Sequence, residues 1–192
     1  MSSLASAEKL LVLEIARSVL TSAVVQRDVP QKFPECEFAQ QAAGAFVTLR
    51  RRGRLRGCIG QMASSDSLLQ VVKQCVRAAA LDDPRFEAVR PEEVPEIEIE
   101  ISVLSPAAEI AADQIEIGRH GLIVTRGRQR GVLLPQVAAE FRWSPERFLE
   151  EACAKAGMER DAWRHPGIRV EAFTAEVFSE SEFRVQPGAP AK

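Results

Sequence analysis

The sequence predicts an α+β fold in which a largely antiparallel sheet is packed by helices. Three observations carry this reading. Apolar residues recur at helical spacing in separate stretches, and the run Glu96-Ile97-Glu98-Ile99-Glu100-Ile101-Ser102-Val103 alternates with a period of two. Helices and hairpin strands also follow one another without the regular strand-helix-strand rhythm of a doubly wound parallel sheet, and no internal repeat is visible.

The elements follow in order. A helix from Ser6 to about Val25 buries Leu10, Leu13, Ala16, Val19 and Leu20, with Ser6 read as the N-cap and Glu8 as the anion of the first turn. Val29 to Ala43 contains Pro30 and Pro34 and reads as a connecting arm. Ala45 to Leu49 and Leu55 to Ile59 form a hairpin turning at Gly53. After turn residues Ser64, Ser65 and Asp66, a helix from Ser67 to Ala80 lines up Leu68, Leu69, Val72, Cys75, Val76 and Ala79, and Asp82-Asp83-Pro84 stops it. The alternating run is a half-buried strand, isoleucines to one side and glutamates to the other. Beyond Ile115, Leu122 to Thr125 and Val132 to Leu134 are short strands, and Pro135 opens a helix through Phe141. Ser144 and Pro145 start another that ends at Gly157. Ile168 to Phe178 is the last strand, and Gln186 to Lys192 is a frayed tail.

Composition narrows the function. The chain has 192 residues, 46% hydrophobic and 27% charged, with 25 basic against 27 acidic side chains for a net charge of -2. That length buries enough surface for one domain, with a core from about residue 5 to 180, to fold without disulfide or metal. A bulk polyanion binder and a disordered chain are both disfavoured. No stretch approaches the roughly 18 apolar residues of a membrane span, and Glu14 and Arg17 interrupt the only signal-like run, so the chain is expected to be cytoplasmic. Cys36, Cys58, Cys75 and Cys153 are widely spaced and only two histidines are present, so neither a metal nor another cofactor is predicted.

The most unusual chemistry lies in Leu55-Arg56-Gly57-Cys58-Ile59-Gly60. Gly57 and Gly60 remove side chains on either side of Cys58, so a ligand or another backbone can approach. Arg56 puts a cation within reach of the thiol, which favours the thiolate. The alternative is a glycine-kinked strand whose cysteine is a small core residue. Arg85, in Asp83-Pro84-Arg85-Phe86, either pairs with Asp83 in a turn or binds an anionic group. His120, between Gly118 and Gly121, is either a thiol-activating base or a turn residue bonded to local backbone. Gln136 follows Pro135 at a helix start, where backbone donors are available to an anion. His165, next to Pro166, reads as a loop residue.

Arg50, Arg51, Arg52, Arg54 and Arg56 are five of the 25 basic residues, and without them the rest of the chain carries 20 positive and 27 negative charges, or -7. Either they pair with the acidic face of the Glu96 to Glu100 strand, or they bind phosphate, with RNA the obvious polymer. Arg126, Arg128 and Arg130 repeat the theme in a second hairpin. Neither hairpin interleaves arginine with aromatics, which weakens a base-stacking role.

Together, LRGCIG, Asp83-Pro84-Arg85-Phe86, the strand Glu98 to Leu104, Gly118-Arg119-His120-Gly121-Leu122 and Gly131 to Ala138 resemble the AMMECR domain family, whose bacterial and archaeal members are called AmmeMemoRadiSam system protein A. The resemblance runs from the first helix to about Phe178. It implies an α+β fold of two unequal lobes with a cleft between them, and association with a Memo-like protein and a radical S-adenosylmethionine enzyme. The family's central motif falls on Leu55 to Gly60, which makes Cys58 and Arg56 the first site candidates. The leading expectation is an enzyme component acting on a small anionic molecule or a protein. Cys58 and His120 would be its catalytic pair, and Arg56, Gly57, Gly60, Arg85 and Gln136 its binding residues. The alternative is a non-catalytic scaffold that engages RNA or a protein through the arginine hairpins.

Overall fold

The computed structural model describes residues 3–25, 41, 43–62 and 65–183. Most of the expected arm from Val29 to Ala43, and the whole tail from Gln186, lie outside the described residues. The chain forms two compact units, one of Met1–Val103 with Glu176–Lys192 and one of Leu104–Ala175. Each has its own hydrophobic core.

In the first unit, α1 (Ser6–Val25) begins one residue earlier than a Ser6 cap would have it. Ala5 holds the cap position: its carbonyl accepts the Lys9 N–H at 3.0 Å, and its own N–H is taken by the Glu8 carboxylate at 2.7 Å. Glu8 thus closes the turn itself, and no Ser6 hydroxyl is needed. Strands β1 (Gly44–Arg51) and β2 (Arg54–Gln61) form the expected hairpin. Arg52 and Gly53 both adopt positive φ, 51° and 76°, the two-residue turn whose twist matches that of the strands it joins. The ladder then slips by one residue, because Arg50 pairs with Leu55 but Leu49 pairs with Gly57, leaving Arg56 as the extra residue of a β-bulge.

Helix α2 (Leu68–Leu81) buries every residue of the predicted face and packs on α1, β1 and β2. A full capping box starts it: the Ser67 hydroxyl accepts from Gln70 N–H, and the Gln70 side chain accepts from Ser67 N–H. Ser67→Ala is expected to lower stability by about 1 kcal/mol in denaturant unfolding. A change within a few tenths of a kcal/mol would show that the cap does not contribute. A 3₁₀ helix over Pro91–Glu96 leads into β3 (Ile97–Leu104), where Ile97, Ile99 and Ile101 are buried and Glu98 and Glu100 half-buried, as the alternation predicts.

The second unit holds β4 (Ala108–Glu109), β5 (His120–Arg126), β6 (Gln129–Leu133), α3 (Pro135–Glu140), α4 (Pro145–Lys155) and the start of β7 (Arg169–Ser179). Strand β7 pairs with β5 on one edge and β4 on the other, and β6 pairs with β5. These pairings, like that of β1 with β2, are antiparallel, which with the helices makes the fold α+β. The Ser144 hydroxyl caps α4 by accepting from Arg147 N–H, and the α4 backbone lies so close to β6 that a Cβ at Gly131 would sit 2.2 Å from the Ala152 carbonyl oxygen. After β7, α5 (Glu180–Phe183) belongs to the first unit, where Glu180 pairs with Arg17 and accepts the Ile99 N–H. No helix among the described residues is long and apolar enough to cross a membrane.

Candidate functional site

The two faces of the first hairpin have different jobs. Ala45, Val47 and Leu49 of β1 are fully buried, and on that face Gly57 meets α2: a Cβ there would lie 2.1 Å from the Ala79 carbonyl oxygen. Gly57 is therefore a helix-packing glycine, and the backbone it admits is that of α2. The opposite face carries Phe46, Thr48, Cys58 and Gly60. The Phe46 ring covers Gly60, with 2.2 Å from ring carbon to a hypothetical Cβ. Thr48 lies directly across from Cys58, and its hydroxyl donates to Cys58 Sγ at 3.4 Å. Cys58 is half-buried, whereas Cys75 and Cys153 are buried. Burial pushes the Cys75 thiol up to about 11, with a further rise from Cys58.

Beyond α2, Asp83 and Arg85 grip Cys58 from the other side. The Cys58 N–H donates to Asp83 Oδ2 at 2.8 Å, and Arg85 Nη2 donates to the Cys58 carbonyl at 2.8 Å. Arg85 also binds both carboxylate oxygens, Nε to Oδ1 at 2.9 Å and Nη2 to Oδ2 at 2.7 Å, while its backbone N–H reaches Oδ1 at 3.1 Å. The pair thus gives β2 one acceptor and one donor where a further strand would supply them, which blocks the edge locally. Asp83 is 4% exposed, whereas the Arg85 side chain is 53% exposed. The Arg85 hydrogen bonds, helped by the Cys58 N–H, hold the Asp83 carboxyl far below the usual carboxylate range against the effect of burial. Asp83 in turn raises the Arg85 pKa, desolvation opposes that rise, and the Cys58 side chain adds to it. Of the two sequence alternatives for Arg85, the structure shows the pairing with Asp83, and the same guanidinium also reaches the Cys58 carbonyl.

Arg56 is directed elsewhere. Its guanidinium makes two hydrogen bonds to Glu93, at 3.1 and 2.9 Å, and one each to the Glu87 and Ala88 carbonyls. Glu93 is 7% exposed, and Arg56 first, then the Arg90 N–H, bring its carboxyl down to about 2. Arg56 is thus engaged with Glu93, and the guanidinium that bonds Cys58, at its carbonyl, is that of Arg85. Three other arginines of the first hairpin are compensated as well: Arg51 pairs with Glu93 and Glu96, Arg52 with Glu96, and Arg50 with Glu100 at 3.7 Å. A polyanion would have to displace these carboxylates.

His120 and Gln136 lie in the second unit. His120 opens β5, and its Nδ1 accepts the Glu116 N–H at 3.1 Å while its own N–H bonds the Glu116 carbonyl at 3.0 Å. Gln136 is exposed on α3. His165 is 63% exposed and lies 3.9 Å from Asp161. Among the described residues no group of three or more His, Cys, Asp or Glu side chains could hold a metal ion.

Three comparisons bear on identity. The AMMECR1 family model matches residues 13–178. A protein of Methanothermobacter thermautotrophicus is 41% identical over 160 residues, covering 80% of each chain, and one of Methanosarcina barkeri is 36% identical over 180 residues, covering 88% of this chain and 89% of its own. The crystal structure of the uncharacterized protein PH0010 from Pyrococcus horikoshii is similar at a TM-score of 0.76 with 35% identity, over 88% of this chain and 89% of that one. With a family match across most of its length and relatives above one-third identity, the chain belongs to the AMMECR1 family.

Proposed function

We propose that this AMMECR1-family chain carries a thiol site in which Cys58 is the nucleophile and Arg85 binds the anionic group of a small molecule or protein substrate. One observation supports it above the rest: the half-exposed Arg85 guanidinium is fixed on Asp83 and on the Cys58 carbonyl, on the strand whose sulfur accepts from Thr48. A rigidly held guanidinium with a solvent-facing side is a ready anion receptor, and the buried Asp83 keeps it from rotating away. Gly57 and Gly60 support the site by shaping β2, and their free space is filled by α2 and Phe46. The family resemblance supports placing this site in the company of a Memo-like protein and a radical S-adenosylmethionine enzyme, which copurification from a native source would test.

The direct test compares iodoacetate, which is anionic, with neutral iodoacetamide on a protein in which Cys58 is the sole cysteine. If Arg85 serves the thiol, the rate ratio of anionic to neutral reagent exceeds that of free glutathione by about fivefold or more, and Arg85→Gln returns it to the glutathione value. A ratio equal to that of glutathione in the unmutated site, or a thiol that reacts only after unfolding, refutes the reading.

A further inference from the structure

The two arginine hairpins of this chain differ in one respect. In the first, four of the five arginines, Arg50, Arg51, Arg52 and Arg56, each face a glutamate among the described residues, and only Arg54 does not. In the second, Arg126 binds only the neutral Gln129, and Arg128 and Arg130 make no hydrogen bond or ion pair among the described residues. The register shows where this uncompensated charge lies. Thr125 of β5 pairs with Arg130 of β6 on one side and with Arg169 of β7 on the other. The next row, Gly131, Val124 and Val170, contributes to the face packed on α4, so by strand alternation Arg130, Thr125 and Arg169 stand together on the opposite face. Thr125 is half-buried and both arginines are exposed.

Two arginines thus flank one threonine in the sheet, with their Cα atoms about two strand spacings, or roughly 9.6 Å, apart. Arg169 is exposed and forms an ion pair with Glu171, its Nε 3.3 Å from the carboxylate. Beside Arg169 opens a groove of about 580 Å³ lined by Glu109, Ile110, Ala111 and residues 167–170. Glu109 pairs with Glu171, so it stands on the same face as Arg169. The groove is within the size range of small-molecule sites.

We propose that Arg130, Thr125 and Arg169 bind the phosphate group of a small phosphorylated metabolite whose body lies in the adjoining groove. Two planar forks and a hydroxyl suit a tetrahedral dianion with several acceptor oxygens, whereas a carboxylate would satisfy only one fork. Glu109 is placed to accept from a hydroxyl or amine of the body. RNA fits less well: the row and groove contain no aromatic ring on which a base could stack, and Arg126, paired across from Gln129, stands on the other face from Arg130. The site lies wholly in the second unit and does not depend on the reading of Cys58.

The experiment is an amide-shift titration of the ¹⁵N-labelled full chain with glycerol 3-phosphate, with inorganic phosphate and with a single-stranded RNA oligonucleotide. Saturable shifts centred on Thr125, Arg130 and Arg169 are expected, with glycerol 3-phosphate binding at about 1 mM and more tightly than inorganic phosphate. Arg130→Gln and Arg169→Gln should each weaken binding about tenfold, and Arg54→Gln, at an exposed arginine of the other hairpin, should leave it unchanged. All three substitutions are at the surface, so folding is not at stake. The proposal fails if neither small phosphate saturates by about 20 mM, if the shifts map elsewhere, or if Arg54→Gln weakens binding as much as the other two. Steeply salt-dependent RNA binding without small-phosphate binding would also overturn it.

Discussion

Gly57→Ala is expected to destabilise the chain by about 3 kcal/mol or more, which leaves little of the stability of an ordinary domain. The added Cβ would lie 2.1 Å from the Ala79 carbonyl oxygen and 3.0 Å from its carbon, and both are backbone atoms that no side-chain rotation can move. Relief requires α2 and β2 to separate, and the face they share includes Leu49, Leu68, Val72 and Val76, all fully buried. Overpacking of a tight core ordinarily costs 1–3 kcal/mol, and a backbone obstacle puts this case at or above the top of that range. Gly53→Ala is the contrasting case. Nothing lies within 4 Å of a Cβ there, but φ is +76°, so only the left-handed backbone is penalised, at about 1 kcal/mol. Denaturant unfolding of the two variants separates the causes, and a Gly57→Ala variant no less stable than Gly53→Ala would refute the packing role. Because Asp82 ends α2 and Asp83 follows it, a displaced helix should also loosen the grip on Cys58. Where the variant remains folded, its iodoacetate preference should fall.

How far the sequence could show this depends on the feature. The Ile97–Leu104 strand, the α2 face and the Ser67, Ser144 and Pro145 helix starts were legible because periodicity and capping chemistry are local. The partner of Cys58 was not. A turn at Arg52-Gly53 with an unbroken ladder places Cys58 opposite Val47, a core residue, and the bulge at Arg56 moves the pairing to Thr48 on the other face. That one-residue slip decides whether the thiol points into the core or towards Thr48, and no composition signal announces it. The same bulge explains why Arg56, two residues from Cys58, serves Glu93, while Arg85, 27 residues away in sequence, reaches its carbonyl. The burial of Glu93 within a 3₁₀ turn containing Pro91 and Pro95 was equally hidden, because an acidic residue between prolines reads as solvent-exposed loop. Cys58 and Arg85 could be nominated from the residues around them. Their connection through Asp83 required the tertiary fold, since it is the packing of α2 on Gly57 that carries Asp83 to the edge of β2.

Asp83→Ala carries the second large expected effect, about 2–4 kcal/mol, because it strips a buried carboxylate from four charge-assisted or backbone hydrogen bonds and leaves the Cys58 N–H without its acceptor. Arg85→Ala removes a half-exposed side chain but leaves that carboxylate buried with fewer donors, so it should also destabilise. The two effects share one interaction. The double variant should therefore cost little more than Asp83→Ala alone, a coupling of about 1–2 kcal/mol, and simple additivity would show that the pair does not act as a unit. The pH dependence follows from the same geometry. Asp83 and Glu93 are both held below their ordinary values, near 4 in an unfolded chain, so the native state binds fewer protons than the unfolded state in acid. Their contribution is complete above roughly pH 5 and drains as pH falls through the folded-state values, about 2 for Glu93 and lower for Asp83. Stability of the unmutated chain should therefore decline from about pH 5 downwards, and Asp83→Ala, lacking one of the depressed carboxylates, should decline less steeply over the same range. A variant whose acid profile runs parallel to that of the unmutated chain would mean that the carboxylate on the Cys58 N–H does not drive the acid loss. Because Asp83 also fixes Arg85 on the Cys58 carbonyl, the same variant should lose the iodoacetate preference that the proposed thiol site predicts, at neutral pH, where the protein is still folded, which separates its effect on the thiol from its effect on stability.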